Sequence, residues 1–354
     1  MKGRSDKMRV AVAMSGGVDS SVAAWILRSK GYQVVGLTML TGQIPARDEA
    51  VLDAAGKVCR KIGIPHDVVN VSREFEDEVV QPFCLEYSLG RTPNPCVVCN
   101  RSIKFGVLLA CALEIGATHL ATGHYCRLRH DPEIGRVLLY KAKDEGKDQS
   151  YVFYSLKQEQ LRRVMLPLGE YKKNEVKELA LKAGLGPELV AESQEICFVE
   201  GDYREFLAKR NVKKTPGLVV DKEGRALGRH QGIVDFTVGQ RRGLGLACGR
   251  PLYVTRLDSE RNQVVVGFCE DLMGRELLAT RCNFIPFDTL EEEMEVEAKI
   301  RYTAKPAKAI ITPAGPDKTL VRFFEPQRAI TPGQSVVFYD QDLLVGGGVI
   351  DSWR

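Results

Sequence analysis

Residues Arg9–Ser21 read RVAVAMSGGVDSS, and the fold follows from how that string is parsed. Val10–Met14 is a short apolar run that predicts a buried strand, and Ser21–Ser29 predicts a helix. Between them lies Ser15-Gly16-Gly17-Val18-Asp19-Ser20. A strand passing through a glycine turn onto a helix N-terminus makes a phosphate cradle, because unpaired backbone N–H groups and the positive helix end face the ligand. Two glycines allow close backbone approach and positive φ. Ser15 and Ser20 add hydroxyl donors, and Asp19 offers a carboxylate to a Mg²⁺ that bridges phosphate oxygens. The string lacks both the Lys-Ser/Thr ending of a Walker A loop and the spacing of a dinucleotide-binding GxGxxG.

Outward from this loop, strand and helix patterns alternate. Gln33–Met39 predicts a second buried strand, Asp48–Ile62 a helix closed by Gly63, and His66–Val71 a third strand. Asp77–Tyr87 and Ile103–Ile115 predict helices, and Thr118–Thr122 a fourth strand followed by Gly123-His124-Tyr125. This rhythm implies a doubly wound parallel sheet with helices on both faces. Ligands of such sheets sit beyond the strand C-termini, so the Ser15 loop, Met39 and Gly123 are expected to converge on one nucleotide.

The chain of 354 residues is 44% hydrophobic and 27% charged, which suits two or three globular domains. No apolar stretch looks long enough to span a bilayer, and Gly16-Gly17-Val18-Asp19 interrupts the apolar start, which therefore does not resemble a signal peptide. The expected compartment is the cytoplasm. The net charge of +4 is unevenly spread: eleven Lys and Arg against four acids fall between Arg204 and Arg250. That window points to a polyanionic partner.

Ten cysteines at irregular spacing argue for thiol or metal chemistry rather than a disulfide framework. Cys59, Cys84 and Cys111 fall in helical patterns and read as buried apolar residues. Gly90–Asn100 (GRTPNPCVVCN) predicts an irregular loop carrying Cys96 and Cys99 in a CxxC, and Cys197 follows Ser193-Gln194-Glu195. A structural zinc lacks a second ligand pair. Two readings stay open: a redox pair in which one thiolate attacks and another resolves, and an iron–sulfur cluster held by Cys96, Cys99 and Cys197 with one open iron position.

Helices are also expected at Ser155–Leu161 and Lys173–Ala183. Beyond about Arg210 the pattern turns to short strands, at Leu218–Val220, Leu252–Leu257 and Gln263–Gly267. In Glu293–Arg301 apolar and charged residues alternate with period two, and Ala307–Thr312, Thr319–Phe324 and Ser335–Tyr339 add strands of a small antiparallel barrel or sandwich, of which the barrel is the expected form. The expected domains are 1–206, 207–274 and 275–354.

The loop Ser15–Ser20 resembles the SGGxDS pyrophosphate loop of the ATP pyrophosphatase superfamily, which cleaves ATP between the α and β phosphates. Together with Gly90–Asn100, Ala121–Tyr125, Gly146–Tyr151, Ser193–Phe198, Gly239–Gly245, Arg301-Tyr302 and Gly333–Tyr339, the chain resembles the bacterial tRNA-specific 2-thiouridylases along almost its whole length. The resemblance implies ATP-dependent 2-thiolation of the wobble uridine in tRNAs for Lys, Glu and Gln. It implies ATP contacts at Ala13, Met14, Ser15, Gly16, Gly17, Val18, Asp19, Ser20, Met39 and Gly123. It places Asn94, Pro95 and Cys96 at the target base, and His124, Lys147, Asp148, Gln149, Arg301, Tyr302 and Gln334 against the anticodon arm of tRNA. Cys99 is implied as nucleophile and Cys197 as persulfide carrier, with a Cys99–Cys197 disulfide after sulfur release and a cysteine desulfurase or sulfur relay protein as donor. Where some members of the family carry Asp, this chain has Cys96, which favours the [4Fe–4S] reading. The alternative is another adenylating enzyme with the same loop, such as an amide-forming ligase.

Overall fold

The computed structural model describes residues 8–186, 189, 196–246 and 248–354. Its contacts divide the chain into two compact units. One takes residues 1–79, 96–198 and 342–344, and the other 80–95, 199–341 and 345–354.

The first unit is built on a parallel sheet in the order β3-β2-β1-β4-β7. These strands are Arg9–Ala13 (β1), Gln33–Leu40 (β2), His66–Asn70 (β3), His119–Ala121 (β4) and Val164–Met165 (β7). β1 lies between β2 and β4, with Ala13 opposite Leu37 and Val12 opposite Ala121. A central parallel strand covered on both faces is apolar throughout, and Val10, Ala11 and Val12 are fully buried. Helix α1 (Val18–Ser29) begins inside the glycine loop, three residues earlier than its apolar spacing suggests, because Gly17 at φ −84° caps it. Its buried face (Val22, Ala23, Ala24, Ile26, Leu27) packs with Val58, Cys59 and Ile62 of α2 (Pro45–Ile62). α2 starts on a proline and ends on Gly63 at φ +64°.

The helical run 72–88 (α3) includes a π-helical turn at Glu76–Val80. Of the stretch 90–100 expected to be an irregular loop, residues 90–94 are irregular, but the CxxC itself stands in a helix, Pro95–Glu114 (α4), whose residues Cys99–Leu108 are π-helical. Pro95 is tolerated in the first turn because its missing N–H would have no partner there. By length and composition α4 is apolar enough to cross a membrane, contrary to the sequence reading. Its Ile103, Phe105, Leu108 and Ala112 are buried inside the unit, as in a core helix.

A hairpin missed in the sequence joins Arg127–Asp131 (β5) to Arg136–Tyr140 (β6). The helix expected at Ser155–Leu161 shrinks to one turn at Gln158–Leu161, and Lys173–Lys182 forms α5.

The second unit contains helix α6 (Tyr203–Lys209) and a four-stranded sheet in the order β10-β11-β8-β9. Its strands are Gly217–Val220 (β8), Ala226–His230 (β9), Tyr253–Asp258 (β10) and Gln263–Gly267 (β11). It also contains a closed antiparallel barrel of β12 (Met273–Phe284), β13 (Met294–Lys299), β14 (Ala307–Pro313), β15 (Thr319–Arg328), β16 (Ser335–Asp340) and β17 (Leu343–Trp353). The strands run in the order β12-β15-β14-β13-β16-β17, and β17 closes back onto β12. The period-two pattern holds: Val296, Ala298, Ala309, Ile311, Val321 and Phe323 face one core with Phe338. β12 and β17, long and interrupted by glycine and register shifts, escaped the sequence reading.

Candidate active site

The C-terminal ends of β1, β2 and β4 open onto a cavity of about 370 Å³. Its wall includes Ala13, Met14, Ser15, Gly17, Val18, Asp19 and Ser20 from the loop, Met39 from β2, and Gly123, His124 and Gln149. The sheet thus brings together residues that the sequence reading assigned to one nucleotide. Met14 is tied in place, its N–H donating to Leu37 O (2.7 Å) and its carbonyl accepting from Thr38 Oγ1 (3.1 Å).

Of the two loop glycines, Gly16 takes the left-handed region (φ +71°), whereas Gly17 is extended, which corrects the expectation that both supply positive φ. Gly123 serves a different need: a Cβ there would stand 2.6 Å from Asp19 C and Ser20 N. The hydroxyls expected to face phosphate instead close the loop on itself. Ser15 N–H donates to Ser20 Oγ (3.2 Å), the two hydroxyls lie 3.1 Å apart, and Ser20 Oγ donates to Gly17 O (3.1 Å).

Asp19 is held from outside the loop by partners that sequence reasoning missed. Lys173 Nζ, at the start of α5, lies 2.7 and 2.8 Å from its two carboxylate oxygens, and Tyr125 Oη donates to Oδ1 at 2.6 Å. Nothing in the local spacing links residues 154 apart. As a Mg²⁺ partner Asp19 fits, since an ion carried in on phosphate oxygens needs only one or two protein carboxylates; it would exchange with the Lys173 ammonium.

Lys104, on the π-helical stretch of α4, is a second residue the sequence reading passed over, because one lysine in an amphipathic helix gives no signal. It lines the cavity. Its ammonium donates to His124 Nε2 at 3.4 Å, which leaves the ring proton on Nδ1 for Thr122 Oγ1 at 2.8 Å. Burial, with the Lys104 charge adding to it, pushes His124 well below the ordinary histidine range, so the ring is neutral.

The same cation reaches the thiols. Cys96 is exposed, Cys99 buried and Cys197 exposed, and all three are free thiols. Protein packed around them, which strips water from the thiolate even where part of the residue reaches the surface, raises each, taking the buried Cys99 up to about 12, while Lys104 pulls all three down. Cys197 is anchored on both sides. Its carbonyl accepts from Arg47 Nη1 (2.9 Å), and Phe198 meets Phe75 edge to face at 5.6 Å. Ser193, Gln194 and Glu195, which precede it, lie outside the described residues. The three-cysteine cluster reading finds no ligand set: among the described residues no three His, Cys, Asp or Glu side chains are grouped to hold one metal ion.

The residues expected at tRNA are distributed over both units. Gln149 is fixed by exchanging hydrogen bonds with Tyr125, its Oε1 accepting from Tyr125 N–H and its own N–H donating to Tyr125 O, both 2.9 Å. Asp148 organises a turn, accepting from Ala142 N, Ser150 N and Ser150 Oγ. Lys147 ends a short turn at Glu145–Lys147 capped by Asp144. In the second unit Gln334 Nε2 donates to Thr92 O (2.9 Å) and Pro93 O (3.2 Å), just before Asn94 and Pro95. Arg301 Nη2 donates to Arg328 O, and Tyr302 is exposed with Lys299 Nζ 5.4 Å from its ring centroid.

The chain is 54% identical to the tRNA-specific 2-thiouridylase MnmA 1 of Caldanaerobacter subterraneus subsp. tengcongensis, across 97% of this chain and 98% of that one. The chain belongs to the tRNA-specific 2-thiouridylase family. Other 2-thiouridylases are close to it as well: MnmA 2 of Thermoanaerobacter sp. strain X514 is 52% identical over 97% of this chain and 98% of its own. MnmA 1 of Clostridium botulinum strain Okra is 49% identical over 98% and 99%. Three family descriptions tile the sequence: tRNA methyl transferase HUP domain over 8–201, tRNA methyl transferase PRC-barrel domain over 204–268, and aminomethyltransferase beta-barrel domain over 274–350. The enzyme is therefore a tRNA sulfurtransferase of the pyrophosphate-loop kind, with an ATP-binding α/β domain, a small linker domain and a C-terminal β-barrel.

Proposed function

We propose that this enzyme thiolates C2 of the wobble uridine (position 34) in tRNAs for Lys, Glu and Gln, using ATP and a protein persulfide. The observation that supports this most is one cavity bounded by the glycine loop, Met39 and Gly123, whose wall lysine also acts on Cys96, Cys99 and Cys197. Ala13–Ser20, Met39 and Gly123 bind ATP. Asp19 would hold a Mg²⁺ brought in with the nucleotide, which would supply charge neutralisation.

A uracil C2 oxygen is a poor leaving group. Its attack on the α-phosphorus, with departure of pyrophosphate and loss of the N3 proton to solvent, converts it into an adenylate. The terminal sulfur of a Cys197 persulfide attacks C2 and AMP leaves. Cys99 thiolate then attacks Cys197 Sγ, which frees 2-thiouridine and joins Cys99 to Cys197 in a disulfide. An external thiol reductant resets the pair. A wobble base lies in a single-stranded loop, so it enters a pocket without the cost of opening a duplex. Asn94, Pro95 and Cys96 face that base. His124, Lys147, Asp148, Gln149, Arg301, Tyr302 and Gln334 serve the anticodon arm, and the basic stretch 204–250 meets its phosphates. We divide these roles among domains 1–206, 207–274 and 275–354.

The test uses protein purified without oxygen. Iron and acid-labile sulfide are measured first, then thiolation of unmodified tRNA with ATP and a persulfide donor, read by nucleoside mass spectrometry. Full activity in iron-free protein supports the persulfide route. Activity that tracks cluster content assigns Cys96, Cys99 and Cys197 as ligands instead, and no thiolation in either form overturns the reaction. Cys99→Ser and Cys197→Ser are each expected to abolish thiolation while leaving tRNA affinity within about threefold.

A further inference from the structure

We propose that Lys104 is a catalytic residue of the adenylation step, its ammonium taking up negative charge on the α-phosphoryl oxygens of ATP as pyrophosphate leaves. The inference rests on the adenylating reaction above and adds a residue to it.

The first ground is charge. Among the described residues that line the cavity, Lys104 is the one Lys or Arg, and Asp19 the one acid. A triphosphate enters with several negative charges, and a phosphoryl-transfer site that excludes water needs a fixed cation to meet them. The other lysine near the loop, Lys173, is engaged with both oxygens of Asp19.

The second ground is pairing. Among the described residues Lys104 forms no ion pair; its hydrogen-bond partner is a neutral imidazole 3.4 Å away. A cation on the cavity wall that is ion-paired with no carboxylate among the described residues is arranged for an anionic ligand. His124 holds that ammonium in place, and Thr122, through Nδ1, holds His124.

The third ground is position. Lys104 lies on the π-helical stretch that begins at Cys99 and lines the nucleotide cavity, and its charge is felt by the thiols of Cys96, Cys99 and Cys197. In the step itself the uridine O2–Pα bond forms, the Pα–O bond to the β-phosphate breaks with its electron pair going to pyrophosphate, and N3 releases its proton to solvent. Lys104 remains an ammonium throughout and donates N–H to the oxygens on which charge grows.

The experiment compares wild type, Lys104→Gln and Lys104→Arg using ATP and an unmodified tRNA transcript. Three quantities are read: the ATP dissociation constant by calorimetry, the tRNA dissociation constant, and the single-turnover rate of tRNA-dependent AMP formation. Lys104→Gln is expected to slow AMP formation by about 100-fold or more and to weaken ATP binding by about tenfold, with tRNA affinity within about threefold. Lys104→Arg, which keeps the charge, is expected to recover at least about tenfold of the lost rate. Wild-type AMP formation in Lys104→Gln overturns the proposal, as does an equal loss in Lys104→Arg accompanied by lost tRNA binding, the mark of a structural role. If the wild type forms no AMP on tRNA, the reaction reading falls; ATP binding then decides on Lys104 alone, and an unchanged constant in Lys104→Gln overturns its role.

Discussion

Cys99 and Cys197 differ as residues even though one reaction links them. Burial takes Cys99 to about 12, above the ordinary thiol, so its thiolate is scarce near neutral pH, and each unit of such a rise cuts the thiolate fraction about tenfold. In substrate-free protein at pH 8, iodoacetamide should label Cys197 at least about ten times faster than Cys99, with the Cys99 rate still climbing above pH 10. Peptide mass spectrometry reads this directly, and equal rates would mean that Cys99 is not shielded. His124 follows the opposite sign: with its pKa lowered, the ring carries no proton charge between pH 6 and 8, and its C–H resonances should not titrate there in NMR spectra. At Gly123 the constraint is steric. The Cβ of Gly123→Ala would strike backbone of Asp19 and Ser20, so calorimetry should find ATP affinity lowered at least tenfold.

At the scale of elements, the pairing of α5 with the loop governs the local energetics. Lys173→Met leaves Asp19 with the Tyr125 hydroxyl but no cation. Since Asp19 retains a quarter of its side-chain exposure, we expect a loss of about 2 kcal/mol, below the range for a fully buried pair, read as a lower thermal midpoint. Added ATP and Mg²⁺ should recover more of that loss than they add to wild type, because the carboxylate is then open to the ion. The β1–loop–α1 corner and the alternating barrel strand β13 were legible in the sequence because each is a local pattern with a strong period. The CxxC helix was not: Pro93, Asn94 and Pro95 read as breakers, yet Pro95 stands where a helix tolerates it. Lys104 and Lys173 were illegible for another reason. Each acts through a partner brought near by the fold, Lys173 across 154 residues and Lys104 across 20, and neither has a motif.

For the whole molecule, the uneven charge sets the expected mode of tRNA association. Arg241 and Arg242 are exposed within the basic window. Replacing both with Gln should weaken binding of different tRNAs about equally and lower the slope of log affinity against log salt by up to about 2; a change confined to one tRNA would point to base reading instead. The ion pair between Asp19 and Lys173 has a consequence on the ribosome. At roughly 5–20 residues per second, the 154 residues separating the partners take about 8–30 s to synthesise. For that interval the nascent loop has its glycines and serines but not the ammonium that neutralises its acid. Early emergence of β1 and α1 therefore does not deliver a finished nucleotide site. The loop matures late, when α5 leaves the exit tunnel, and a polypeptide released before that point would carry the motif intact and its Asp19 without a cation.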